Sequence, residues 1–72
     1  MEYVEIRFPR TRAVYIDGVE NGSTNTILQI GAGTHSFDLG KPADYDPPEV
    51  IRRVHGTNEL DPIVIEFDEV PA

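Results

Sequence analysis

The residues of this 72-residue chain with the widest chemical repertoire are its two histidines, His35 and His55. A serine triad would need Ser23 or Ser36 beside a histidine and an acid, yet neither serine lies in a Gly-x-Ser-x-Gly elbow. The histidines are far apart in sequence and the chain has no cysteine, so a closed zinc site is not expected. The sequence therefore predicts no catalytic residue and no metal site.

Three carboxylates lie close together at Asp44, Asp46 and Glu49. Clustered oxygens of this kind suit calcium. The calcium-loop pattern requires a glycine at its sixth position, however, and Pro47-Pro48 stiffens the segment instead. We interpret the segment as a solvated turn braced by prolines, and we expect no bound cofactor.

The elements that would position these residues are short β-strands, because apolar residues recur at every second position. Val4, Ile6 and Phe8 show this pattern first, and His35, Phe37 and Leu39 repeat it. No segment has a sustained helical period. Six strands are predicted, over residues 3–8, 13–17, 26–30, 34–39, 49–55 and 63–68.

Turn signals separate the predicted strands. Asp17-Gly18 suits a turn with positive φ, residues 19–23 look loop-like, and Gly31-Ala32-Gly33 is expected to close a tight hairpin. Residues 40–48 contain three prolines and are expected to form a surface loop. Residues 49–55 alternate poorly, which indicates an edge strand or a bulge.

These features predict an all-β fold, a small antiparallel β-sandwich or open barrel of about six strands. Residues 1–72 would form a single domain with short tails at both ends. His35 is expected at the core margin, with one ring nitrogen bonded to backbone. The predicted core contains Val4, Ile6, Phe8, Val14, Ile16, Leu28, Ile30, Phe37, Leu39, Val50, Val54, Ile63, Ile65 and Phe67.

Charge and size narrow the classes of function. Thirteen acidic and six basic residues give a net charge of −7, which disfavours nucleic acid and anionic membranes as partners. Residues 37–72 hold nine of the acids and three of the bases. These acids either keep a small β protein soluble and protect its edges, or attract a basic partner. A chain this small has little room for an enclosed cofactor pocket.

The sequence shows no apolar run long enough to span a bilayer and no signal-peptide pattern at its start. We expect a soluble chain that does not insert into membranes, cytoplasmic if this is the full length, or a domain cut from a larger protein.

Several motifs together resemble the PEGA domain family. These are the run from Ala13 to Asp17-Gly18, then Gly22-Ser23-Thr24, and then an apolar strand leading through Gly33 to His35. The resemblance covers about residues 4–70. Asn25 stands where the family has proline, and Asp44 stands where glycine is expected before Tyr45.

The resemblance implies a small β-sandwich that mediates binding, with no catalytic set. The same motif residues also have a purely structural explanation, because aspartate, glycine and threonine permit the turns between strands. Thr24 in particular is suited to hydrogen-bond backbone where a strand begins.

The candidate binding residues are the three tyrosines. If the first two strands form a hairpin that pairs Ile6 with Val14, Tyr3 and Tyr15 become diagonal neighbours on the outer face. Such a pair either covers the sheet or a neighbouring loop, or provides a contact surface. Tyr45 in the proline-rich loop completes the set.

Two functions remain open at this point. The first is a non-enzymatic binding or spacer module that presents a sheet face or edge to a protein or carbohydrate partner. The second is a structural or regulatory subunit whose acidic C-terminal half docks a basic protein. Binding that survives about 0.5 M salt would favour the first hypothesis, and binding that is abolished by screening would favour the second.

Overall fold

The computed structural model describes residues 1–71 of the chain. These residues contain nine short β-strands and no helix. The strands are β1 (Glu2–Arg7), β2 (Ala13–Ile16), β3 (Val19–Ser23), β4 (Ile27–Ile30), β5 (Gly33–Asp38), β6 (Tyr45–Asp46), β7 (Val50–Val54), β8 (Ile63–Glu66) and β9 (Asp68–Glu69).

The strands form two sheets and a small ribbon. The first sheet has the order β4-β1-β8, the second has the order β3-β2-β5-β7, and β6 pairs with β9 in the ribbon. All pairings are antiparallel except that of β1 with β8, which is parallel. The predicted all-β class is confirmed, whereas the parallel pairing of these two strands differs from the antiparallel arrangement expected.

The apolar core combines inward side chains from both sheets in one cluster. Twelve of the fourteen predicted core residues are buried, and the other two, Val50 and Ile63, are partly buried and pack against the cluster. The period-two pattern succeeded because each strand buries one face only. Burial of each large apolar side chain stabilises the fold by roughly 1.5 to 3 kcal/mol.

The first hairpin forms at Asp17-Gly18, as predicted, with φ values of 55° and 81°. The strand that follows it was missed, since Val19–Ser23 is β3 and not a loop. This strand lies at the edge of the second sheet and is mostly exposed, so it needs no alternating apolar residues. The register between β2 and β3 also shifts between Ala13 and Tyr15, which further disrupts any alternation of residues along β3.

The predicted hairpin around Gly31-Ala32-Gly33 is wrong. In β4, Leu28 pairs with Val4 of the first sheet, whereas Phe37 of β5 pairs with Ile16 of the second sheet. The two strands therefore bury their apolar faces from opposite sides of the core, and the link between them crosses from one sheet to the other. Gly33 has the expected positive φ, 128°, but uses it in a crossover.

Thr24 and Asn25 hold another crossover, the segment between β1 and β2. The buried Thr24 hydroxyl donates to the carbonyl of Arg10 at 2.8 Å and accepts from the amide of Arg12 at 2.9 Å, as expected of a threonine at a strand end. Asn25 has a φ of 65°, and its side-chain amide bonds both backbone groups of Phe8. Proline cannot adopt this φ, so the backbone at position 25 excludes it.

Candidate functional site

The three candidate tyrosines do not come together. β1 and β2 belong to different sheets, so the predicted pairing of Ile6 with Val14 is wrong, and Ile6 pairs with Ile65 instead. The reason is the connection after Phe8, which Thr24 holds as a crossover between the sheets. Tyr3 and Tyr15 are therefore not neighbours on one sheet.

Tyr15 lies on the outer face of the second sheet and contacts the loop that follows β5. A Cβ atom added to Gly40 would lie 2.5 Å from Cε1 of the Tyr15 ring. Gly40 also has a φ of 69°, a conformation that favours glycine. The ring therefore packs against this loop, which fits the alternative that Tyr15 covers a neighbouring segment.

Tyr45 is a core residue with 9% of its surface exposed. Its ring meets Phe67 edge to face, with centroids 5.5 Å apart. The guanidinium of Arg12 lies 5.7 Å from the centroid of the Tyr45 ring. A ring surrounded in this way anchors the ribbon strand β6 and offers little surface to a partner.

Tyr3 is the tyrosine with the best claim to a surface role. It lies on β1, the central strand of the first sheet, and its hydroxyl accepts a hydrogen bond from Nε2 of Gln29 at 3.3 Å. Its backbone amide donates to the hydroxyl of Thr57 at 2.7 Å. The ring is thus held in place on the outer face of the sheet, where little side-chain entropy remains to be lost on binding.

Beside Tyr3, a row of three side chains crosses the whole first sheet. Glu5 pairs with Ile27 on one side and with Val64 on the other. Ile27 is 44% exposed and Val64 is 38% exposed, although both are large apolar residues. We call the surface formed by Tyr3, Glu5, Ile27, Gln29 and Val64 the outer face of the first sheet.

Charges lie along one end of this outer face. Arg7 donates to Glu5 at 3.3 Å and lies 3.8 Å from Glu66 on β8. These exposed ion pairs contribute little to stability. They give the surface a charged margin beside the row of Ile27, Glu5 and Val64, in which a carboxylate lies between two apolar side chains.

His35 is the centre of a separate cluster on the second sheet. Its Nδ1 lies 2.6 Å from a carboxylate oxygen of Asp17, and its Nε2 lies 2.7 Å from the carbonyl oxygen of Gly31. Both partners are acceptors, an arrangement that favours the doubly protonated, positively charged form of the ring. The hydrogen bond to Asp17, followed by that to Gly31, raises the pKa of His35. The predicted bond between this ring and backbone is confirmed.

This histidine joins two connections of the chain. Asp17 is in the β2–β3 turn and also accepts a hydrogen bond from the amide of Ser36 at 3.0 Å, while Gly31 belongs to the crossover that follows β4. The hydrogen bond from His35, together with that from Ser36, lowers the pKa of Asp17. Both ring nitrogens of His35 are thus engaged within the chain.

Sequence reasoning missed an arginine cluster at one end of the sandwich. One oxygen of the Asp44 carboxylate lies 2.5 Å from Arg12, and the other accepts from Arg10. Arg10 also lies 2.7 Å from Glu69. Hydrogen bonding to Arg12 is the largest cause of the lowered pKa of Asp44. The interpretation of Asp44 as part of a solvated turn is therefore wrong, because its carboxylate is bound by two arginines.

Arg12 ties the proline-rich loop to the rest of the fold. Its side chain is only 11% exposed, and it donates to the carbonyl oxygens of Leu39 at 3.2 Å and Pro42 at 2.9 Å. No sequence signal indicated these partners, since they are about thirty positions away. Within residues 1–71, no three histidine or carboxylate side chains are grouped as a metal site would require.

No protein-family model matches the chain, and comparisons with curated proteins and with solved structures gave no match. In the part of the chain described, no helix is long and apolar enough to cross a membrane.

Proposed function

We propose that this chain is a non-enzymatic binding module that presents the outer face of its first sheet to a protein partner. The observation that carries the proposal is the row of Ile27, Glu5 and Val64 across all three strands. It has one exposed apolar residue on each side of a carboxylate. The Tyr3 ring, fixed by Gln29, adjoins this row. Tyrosine is enriched at recognition surfaces, and apolar residues at the centre of an interface supply much of its affinity.

The absence of catalysis is part of the proposal. What supports it is the bonding of His35, whose two nitrogens are occupied by Asp17 and Gly31. Kinship with PEGA domains is also proposed. Its support is that the Asp17-Gly18 turn and His35, both from the motifs, contact each other through the Asp17 carboxylate.

The test is affinity capture from native lysate with matched variants. Ile27→Thr with Val64→Thr removes the apolar groups of the outer face while keeping β-branched residues in the strands. Val19→Thr with Leu60→Thr is the control, because these side chains are 67% and 97% exposed elsewhere on the chain. We expect a partner that is retained by the wild type and the control and lost by the first variant. Equal retention by all three would refute the proposal.

A second candidate function is docking of a basic protein by the acidic half of the chain. The observation that favours it is the cross-strand pairing of Asp46 with Asp68, which places two exposed acidic residues opposite each other in the ribbon. Like charges in such a pair are destabilising, and a basic partner would relieve the repulsion. Capture that is abolished at about 0.5 M salt and by Asp46→Asn with Asp68→Asn would support this function.

A further inference from the structure

We propose that the free edge of β7 binds an extended acidic polypeptide segment, which adds to the second sheet as a fifth strand. β7 belongs to the second sheet, whereas the outer face used in the proposed function belongs to the first sheet. The inference therefore stands independently of the proposed function, and it uses none of the same residues.

The backbone of β7 has unused hydrogen-bonding groups along this edge. The amide and carbonyl of Ser36 on β5 both bond to Asp17, on the side of β2. Since backbone groups alternate sides along a strand, His35 and Phe37 must direct theirs toward β7. Their partners in the register are Arg52 and Val50.

It follows that Ile51 and Arg53 direct their amides and carbonyls away from β5. β7 is the last strand of its sheet, and β5 is its one strand partner within residues 1–71. An extended segment could thus form a regular ladder with these two residues.

The side chains of this edge select the charge of the segment. Arg7, Arg10 and Arg12 each have an acidic partner, whereas Arg52 and Arg53 form no ion pair with any residue between 1 and 71. Two adjacent unpaired cations are unusual on a chain with a net charge of −7. The two arginines attract acidic segments to this edge and repel basic ones.

A second copy of this chain is a poor occupant of the edge. Symmetric antiparallel pairing of β7 with itself, centred on Arg52 or between Arg52 and Arg53, would place arginines against arginines, and like charges directly opposite are destabilising. Charged edges commonly prevent such self-pairing. The same two arginines that oppose a homodimer favour a segment rich in carboxylates.

The side-chain directions specify the segment further. Arg52 is opposite His35 and shares its face of the sheet, while Ile51 and Arg53 are opposite Ser36 and Thr34 on the other face. A complementary strand therefore has two successive carboxylates, one for each arginine, followed by an apolar residue opposite Ile51. Glu-Glu-Val is the simplest segment of this kind.

The probe is a blocked nonapeptide, Thr-Val-Thr-Glu-Glu-Val-Thr-Val-Thr, with a Gln-Gln-Val peptide as its control. Arg52→Glu with Arg53→Glu should weaken binding at least about tenfold, because attraction becomes repulsion. Lys41→Glu, an exposed cation in the 40–48 loop, is the matched control and should change affinity less than about twofold. Circular dichroism verifies that each variant is folded.

A second variant tests the backbone ladder. Ile51→Pro removes one outward amide while leaving both arginines and the ladder to β5 intact, and it should also weaken binding about tenfold, whereas Ile51→Thr should not. Independently of any variant, hydrogen exchange of the wild type should show fast amides at Ile51 and Arg53 that become protected when the peptide binds, while Arg52 is protected throughout.

Three results would overturn the proposal. The first is no saturable binding of the peptide up to about 1 mM, which would leave the arginines as protection of the edge only. The second is unchanged affinity in the double charge reversal. The third is unaltered exchange of the Ile51 and Arg53 amides in the bound state, which would indicate a contact through charge alone.

Discussion

The two sheets carry comparable outward side chains but leave them in different situations. On the second sheet, Tyr15 packs against Gly40 of the following loop, and Arg12 fastens that loop through the carbonyls of Leu39 and Pro42. On the first sheet, Ile27 and Val64 remain exposed. The outward ring of Tyr15 is therefore part of the scaffold, whereas the side chains of Ile27 and Val64 are accessible to a partner. On the second sheet an exposed outward apolar residue, Ile51, is found on the edge strand β7.

This comparison shows that the odd or even position of a residue along a strand determines which face of the sheet its side chain lies on. It does not determine whether that side chain is exposed to solvent. What decides access is whether another segment is fastened over the residue. For Tyr15 the fastening depends on the arginine cluster, whose partners are distant in sequence. Substitutions on the two sheets should consequently have different effects.

The largest effect is expected for Gly40→Ala. The substitution forces a Cβ into the Tyr15 ring and strains a backbone with a φ of 69°, so it should destabilise the fold by about 2 to 4 kcal/mol in urea denaturation. Gly56→Ala is the matched control, because Gly56 has a φ of 70° with open space around it. Strain alone should cost about 1 to 2 kcal/mol there. Equal losses at the two sites would show that the contact with Tyr15 adds nothing to stability.

Arg12→Met should have the next largest effect. Methionine keeps an apolar stem over the Phe8 and Tyr45 rings but loses the hydrogen bonds that fasten the loop, at a cost of about 1 to 3 kcal/mol. Arg7→Met serves as the control, since the Arg7 side chain is half exposed in its ion pairs. A melting temperature that falls equally in both variants would contradict the assignment of Arg12 as the fastening residue.

A smaller effect should appear in the pH dependence of stability. The pKa of His35 is raised in the folded state above its ordinary value of 6.5, so this stabilisation is complete below that pH and is lost as pH rises through the folded pKa. The urea midpoint of the wild type should therefore decline above about pH 6.5 more steeply than that of His35→Gln, which retains His55. Parallel pH profiles would show that the charged ring contributes nothing.

Asp17 acts in the opposite direction at low pH. Its pKa is lowered from 3.8, so its contribution is present above that value and is lost as pH falls through the folded pKa.

The smallest effect is expected on the first sheet. Ile27→Thr with Val64→Thr should change the free energy of unfolding by less than about 1 kcal/mol, because both residues are already partly exposed to water and threonine keeps one methyl group. A loss as large as that of Arg12→Met would mean that these residues are core, and the comparison between the two sheets would fail.

Much of the fold could be predicted because the alternation of buried and exposed residues along a strand is visible in a few consecutive residues. The strands that carry Val4, Ile6, Phe37 and Ile65 were found in this way. β3 was missed because Val19–Ser23 buries almost nothing.

Connections and side-chain partners were harder to predict. Gly31-Ala32-Gly33 has the same composition whether it closes a hairpin or crosses between sheets, so pairing could not be inferred from it. Tyr45 was expected at the surface because it lies among prolines, yet it packs on Phe67 from the far end of the chain. The contacts of Asp44 with Arg10 and Arg12 likewise depend on residues that only the fold brings together.

The central claim is that the outer face of the first sheet meets a partner. The most direct measurement is site-specific photo-crosslinking in native lysate, with a photoreactive residue at position 27 of the first sheet or at position 19 of the second. Both positions hold exposed apolar residues, so the two proteins differ mainly in which sheet carries the probe. We predict a discrete covalent adduct from position 27 that is absent from position 19. Adducts of equal yield at both positions, or from position 19 alone, would contradict the claim.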